Sequence, residues 1–158
     1  MKPKVYIETS IPSYLTARKN RDIRTTANQE TTIEWWKRRK QKFNLFVSEL
    51  VIAEASRGHP DAAKRRMDAL TDIPELEVTL AVKELGDILI AEGALPVRAE
   101  MDAYHIAVAT VHGIDYLLTW NCTHIANAVM RPRIENICRK YHYEPPIICT
   151  PQELMGDW

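Results

Sequence analysis

The stretch VYIETSIPSYL, residues 5–15, carries an apolar run into a carboxylate, Glu8, then into Thr9, Ser10 and a proline, Pro12. An apolar run that gives way to hydroxyl residues and a proline marks a buried strand passing into a helix. The acid stands at the exit of that strand. In open α/β sheets ligands bind beyond the carboxyl ends of the strands, so Glu8 occupies the place where such a sheet keeps its chemistry.

Working outward, apolar runs of the same kind occur at residues 45–47, 76–80, 116–119 and 147–149. Helical patterns fill the intervals at 23–41, 49–57, 61–71, 81–92 and 98–112, with Met101, Tyr104, Val108 and Val111 on one face of the last. A further helix follows Pro132, where Ile134, Ile137, Cys138 and Tyr141 recur at helical spacing. Strands alternating with helices predict a parallel sheet covered on both faces. Gly58, Gly93 and Gly113 each follow a helical pattern, where a left-handed residue ends the helix. Thr150-Pro151-Gln152-Glu153 forms a capping box with proline at the first helical position and predicts a short closing helix.

The chain has 158 residues, a length suited to one compact domain, expected over 1–158. Twenty-one Lys and Arg balance 21 Asp and Glu, so no net field draws the molecule to nucleic acid or to anionic lipid, and such binding must come from local patches. Three dispersed cysteines without a Cys-x-x-Cys pair suit a reducing cytoplasm, and no apolar run approaches the roughly 20 residues of a membrane span. The expectation is a cytoplasmic protein with no membrane association.

Two further acids stand out. In SELVIAEASRG, Ser48 caps a helix on which Leu50, Val51 and Glu54 share a face, which turns Glu54 toward the sheet and leaves Glu49 in solvent. Asp102 lies among Met101, Ala103, Tyr104, Ile106, Ala107 and Val108. The strand YLLT ends at Thr119 and is followed by Asn121. Three carboxylates and a carboxamide are thus expected to meet at one sheet edge. Gathered carboxylates repel unless a cation stands between them, and the hard oxygen ligands suit Mg²⁺ or Mn²⁺. A water on such an ion ionises readily and attacks a phosphodiester.

VYIETSIPSYL, VSELVIAEASRG, MDAYHIAVATVHGIDYLLTWN and IICTPQEL, in this order, resemble PIN-domain proteins, specifically the VapC-like toxins of bacterial type II toxin-antitoxin systems. The resemblance implies a three-layer α/β/α fold with a five-stranded, mainly parallel sheet of order 3-2-1-4-5, and metal-dependent RNA cleavage. By position it implies catalytic roles for Glu8, Glu54, Asp102 and Asn121, metal ligation by Glu8, Glu54 and Asp102, and positioning of water or phosphate by Ser10 and Thr119. Most members carry Asp where this chain has Glu8 and Asn121, so the site holds three negative charges rather than four, which favours one metal over two. It also implies an RNA substrate, a cognate antitoxin and a homodimer, the latter two using the apolar surface of residues 11–41.

Three other readings follow from the residues. EWWKRRKQK, residues 34–42, sets two tryptophans beside five cations, which suits either RNA stacking or a core tryptophan with cations at a helix end. The departures at Glu8 and Asn121 suit a binding module with a degenerate, inactive metal site. Cys122, His124, Cys138 and His142 have the spacing of a zinc set, although Cys138 also fits an apolar helical stripe. His105, on the Asp102 helix, reads as a core or surface histidine that could face the cleft.

Overall fold

The computed structural model describes residues 1–156; Asp157 and Trp158, the last two of the expected domain, lie outside the described residues. Five strands, β1 (Lys4–Ile7), β2 (Asn44–Ser48), β3 (Glu75–Leu76), β4 (Tyr116–Leu118) and β5 (Ile147–Cys149), pair in parallel in the order β3-β2-β1-β4-β5. Val5, Tyr6 and Ile7 of β1 are all fully buried. Successive side chains of a strand point to opposite faces, so this burial means that both faces are covered. The cover comes from α1 (Ser10–Thr16), α2 (Ile23–Arg38), α3 (Glu49–Ala55), α4 (Pro60–Ala69), α5 (Leu80–Ala91), α6 (Glu100–Val111) and α7 (Arg131–Lys140). Helix α1 packs on α2 and α4, while α5 packs on α6 and α7, giving a three-layer α/β/α arrangement.

Register sets the site. Pairing of Ile7 with Leu118 places Glu8 beside Thr119, with the Glu8 amide donating to Leu118 O at 3.1 Å. Pairing of Tyr6 with Phe46 sets Glu8 level with Ser48, two residues further along both strands. Strand order reverses about β1, so these strand ends flank the crevice that open α/β sheets use. Gly93 and Gly113 hold positive φ, at 79° and 68°, directly after the caps of α5 and α6 as expected, whereas Gly58, φ 86°, lies two residues beyond the Ser56 cap of α3, in the turn before α4.

Several expectations need correction. Strand β3 is two residues long rather than five, because Thr79 caps α5 by accepting from the Val82 amide and Leu80 opens that helix largely exposed. The core face of α6 is not that of Met101, which is 40% exposed, but the run from His105 to Thr110 with Ala103. The capping box after β5 forms, with the Thr150 amide donating to Glu153 Oε1 at 3.0 Å, yet residues 151–154 make turns only. Side chains of the α2 region take the carbonyls there: Trp35 Nε1 donates to Leu154 O and Arg39 to Gly156 O. Trp35 is therefore a core residue, stacked on Phe43 at 5.7 Å, while Trp36 carries Lys40 over its ring.

Candidate functional site

Glu8 leaves β1 only 6% exposed, and one of its oxygens is heavily held. Oε1 accepts from Ser10 Oγ at 2.5 Å, Thr119 Oγ1 at 2.6 Å and the Ser10 amide at 3.2 Å. Those hydroxyls are themselves fixed as acceptors, Ser10 Oγ by the Trp120 amide and Thr119 Oγ1 by the Asn121 amide. Oε2 of Glu8 takes no hydrogen bond from the described residues.

Glu54 is placed by α3, whose start Ser48 caps by accepting from the Leu50 and Val51 amides. Its Oε1 accepts from Thr9 Oγ1 at 2.5 Å and pairs with His105 Nε2 at 2.6 Å, while Oε2 is left open among the described residues. Glu49 points elsewhere and accepts from the Val78 amide. Asp102, in the first turn of α6, meets His124 Nδ1 at 3.0 Å through Oδ2, and its Oδ1 is likewise open. Asn121 turns its carboxamide oxygen to the His124 amide at 3.1 Å, so it shapes the turn that brings His124 onto Asp102.

His105, read from the sequence as a core or surface histidine that could face the cleft, is the residue to which no site role was assigned. It is 1% exposed; Nε2 faces Glu54 and Nδ1 meets the Tyr6 hydroxyl at 2.7 Å, which in turn reaches Ser48 Oγ at 2.7 Å. Burial alone would strip its proton, but the bond to Glu54 and the charges of Glu8, Glu54 and Asp102 outweigh burial and raise its pKa. Burial alone would likewise raise the Glu54 carboxyl; the His105 bond and charge, with Thr9 and Arg57, hold it below its ordinary value. Tyr6 is pushed well above a phenol's range, first by burial, and stays a neutral hydroxyl. Nε2–H donates to Glu54, and when the ring carries its second proton Nδ1–H donates to the Tyr6 hydroxyl, which then donates to Ser48. One available signal was spacing, since His105 lies three residues beyond Asp102 on the same helix.

One ligand atom each from Glu8, Glu54 and His105 lie within 4.8 Å of one another. Both ring nitrogens of His105 are engaged by Glu54 and Tyr6, so neither is left free to ligate an ion. What remains open is oxygen: one each on Glu8, Glu54 and Asp102, with each partner oxygen braced by the protein. The open oxygens of Glu8 and Glu54 suit a hard divalent ion, whereas Asp102, turned to His124, is not part of the group that the structure brings together. The zinc set is not brought together. Cys122 is exposed, Cys138 is buried 3.9 Å from Thr110 Oγ1, and His124 is turned to Asp102.

Compared by sequence, the chain matches no family model and no curated protein. Compared by structure, it matches VapC20 of Mycobacterium tuberculosis, a toxin that cleaves the sarcin-ricin loop, with a TM-score of 0.58 and 18% identity, over 76% of this chain and 92% of that one. The chain has the PIN fold of the VapC toxins. A second VapC-type match is a chain of VapBC2 from Rickettsia felis, solved bound to a DNA fragment from its promoter, with a TM-score of 0.56 and 15% identity, covering 93% of this chain and 98% of that one. At these identities the likeness is one of fold. Among the described residues no helix is long and apolar enough to cross a membrane.

Proposed function

We propose that this chain is a metal-dependent endoribonuclease of the toxin type, hydrolysing RNA phosphodiester bonds, with Glu8, Glu54 and Asp102 holding Mg²⁺ or Mn²⁺. The observation that supports this reading is the pair of carboxylates Glu8 and Glu54, brought together with one oxygen of each braced and one open, Asp102 being added from the family resemblance. When bound, the ion supplies a water of lowered pKa and neutralises charge on the phosphate. Ser10 and Thr119 give their hydroxyl protons to Glu8, so they position that carboxylate, and through it the attacking water. Asn121 assists through the turn that delivers His124 to Asp102. His105 balances the acids and fixes Glu54 in one rotamer.

The rest of the reading follows the VapC likeness: one PIN-like domain, acting in the cytoplasm on RNA, as a homodimer restrained by a cognate antitoxin. The VapBC2 neighbour supports an antitoxin partner. The second reading is a binding module with a degenerate site, favoured by Asn121, whose carboxamide oxygen serves the His124 amide. The test is cleavage of RNA with added Mg²⁺ or Mn²⁺ by the wild type and by Asp102→Asn. Cleavage that the substitution abolishes supports the nuclease; no cleavage with either metal supports the binding module.

A further inference from the structure

Beside the acids stands an aromatic pair, Tyr14 against Trp120, of which Trp120 packs on the core and Tyr14 does not. Trp120 directly follows Thr119 and is fixed at two points: its amide donates to Ser10 Oγ at 2.7 Å, and its indole Nε1 donates to Thr32 Oγ1 at 2.7 Å. Thr32 is itself locked to Asn28 O at 2.6 Å. Against this indole lies the ring of Tyr14, 5.9 Å between centroids and tilted by 43°. Tyr14 is half-buried yet does not belong to the apolar core or to the residues packed on it, and its hydroxyl bonds to no described residue. A few residues on, Arg18, Lys19, Arg21 and Arg24 are all exposed, and none of their side chains is in a hydrogen bond or ion pair with a described residue.

We propose that Tyr14, backed by Trp120, is a stacking platform for one base of single-stranded RNA, next to the bond that the acids cut. The inference rests on the nuclease reading and adds a residue that holds the substrate. A rigid indole behind a second ring offers a π-face at little entropic cost, and base–aromatic stacking tolerates any base. A duplex cannot use it, because paired bases already stack on their neighbours and hide their faces, whereas an unpaired nucleotide can splay onto a ring. The solvated cations at 18–24 favour a phosphate-bearing ligand over an apolar protein side chain.

The test is anisotropy of fluorescein-labelled (rA)8, and of a fully abasic strand of the same length, with purified protein in EDTA so that no cleavage intervenes. Tyr14→Ala is expected to weaken (rA)8 binding about 5- to 100-fold, the range for loss of one stacked base. It should leave the abasic strand unchanged, and Tyr14→Phe should restore (rA)8 binding. Equal losses on both strands, or no loss on either, overturn the platform while leaving the nuclease reading intact. Failure of the wild type to bind (rA)8 overturns the platform, while the nuclease reading stands or falls on the cleavage test with added metal. Independently of any variant, an oligonucleotide carrying 5-iodouridine, irradiated on the wild type, should crosslink to Tyr14 or Trp120; adducts found only elsewhere contradict the proposal.

Discussion

Replacing Tyr6 by Phe isolates the buried polar chain behind the acids. Tyr6 is fully buried, with its hydroxyl 2.7 Å from both Ser48 Oγ and His105 Nδ1. Tyr6→Phe removes one oxygen and keeps the ring, so the packing of β1 is preserved and no side-chain cavity opens. Ser48 Oγ retains the Leu50 and Val51 amides of α3. His105 Nδ1 has no substitute acceptor, and at 1% exposure water does not replace one. A buried donor left without a partner costs about 1–3 kcal/mol, with charged groups at the upper end. We expect Tyr6→Phe to lower the unfolding free energy by about 2–3 kcal/mol at pH 5.5, where His105 is an imidazolium. At pH 9.5 the loss should be smaller, since a neutral ring keeps its one proton for Glu54. Urea unfolding followed by circular dichroism measures both, and at a slope of about 2 kcal/mol/M the acid-side loss moves the midpoint by roughly 1 M. A loss below about 0.5 kcal/mol at pH 5.5, or the same loss at both pH values, would refute the charged, Tyr6-bonded histidine.

Three further outcomes are expected. The His105–Glu54 pair makes stability pH-dependent on two sides: the histidine's share is full below its ordinary 6.5 and is lost as pH rises through its raised folded value, while the carboxylate's share is present above 4.5 and is lost as pH falls through its depressed one. The stability difference between wild type and His105→Gln should therefore peak between those values in a urea series, and a difference that grows above pH 7 contradicts this. Gly86→Ala should destabilise by about 1–2 kcal/mol despite the better helix propensity of alanine, because a Cβ there would meet the Tyr104 ring at 2.2 Å; a raised melting temperature would count against it. Thr119→Val, which takes a donor from Glu8, should weaken Mn²⁺ binding by about 10- to 100-fold in calorimetry, the usual effect of removing support behind a ligand, and an unchanged affinity would detach Thr119 from the site.

Much of the fold was legible because local signals agreed with one another. Positive φ at Gly58, Gly93 and Gly113 and the apolar runs at β1 and β5 were set by backbone sterics and burial, which operate over a few residues. The strand order came from the VapC resemblance, since alternation alone allows several orders. Errors arose where tertiary contacts outweighed local pattern. The apolar string after Glu75 leaves the sheet because Thr79 caps a helix, and the capping box at Thr150 stops at a turn because Trp35 and Arg39 claim carbonyls beyond it. Of the candidate site, the meeting of Glu8 and Glu54 was legible from their places at a strand end and on a helix face, while Asp102, read with them, stands apart against His124. Tyr6 and His105 were not legible, because in a strand and a helix lined with apolar residues each looks like core, and core burial is indeed where both lie. Only the fold brings them together from 99 residues apart.

The most direct measurement is anomalous diffraction from crystals soaked in manganese. We expect one strong peak at the carboxyl edge of the sheet, within bonding distance of Glu8, Glu54 and Asp102 and not of a His105 nitrogen. A map with no peak at those carboxylates, or with manganese bound only at other surface acids, would contradict the metal-dependent nuclease.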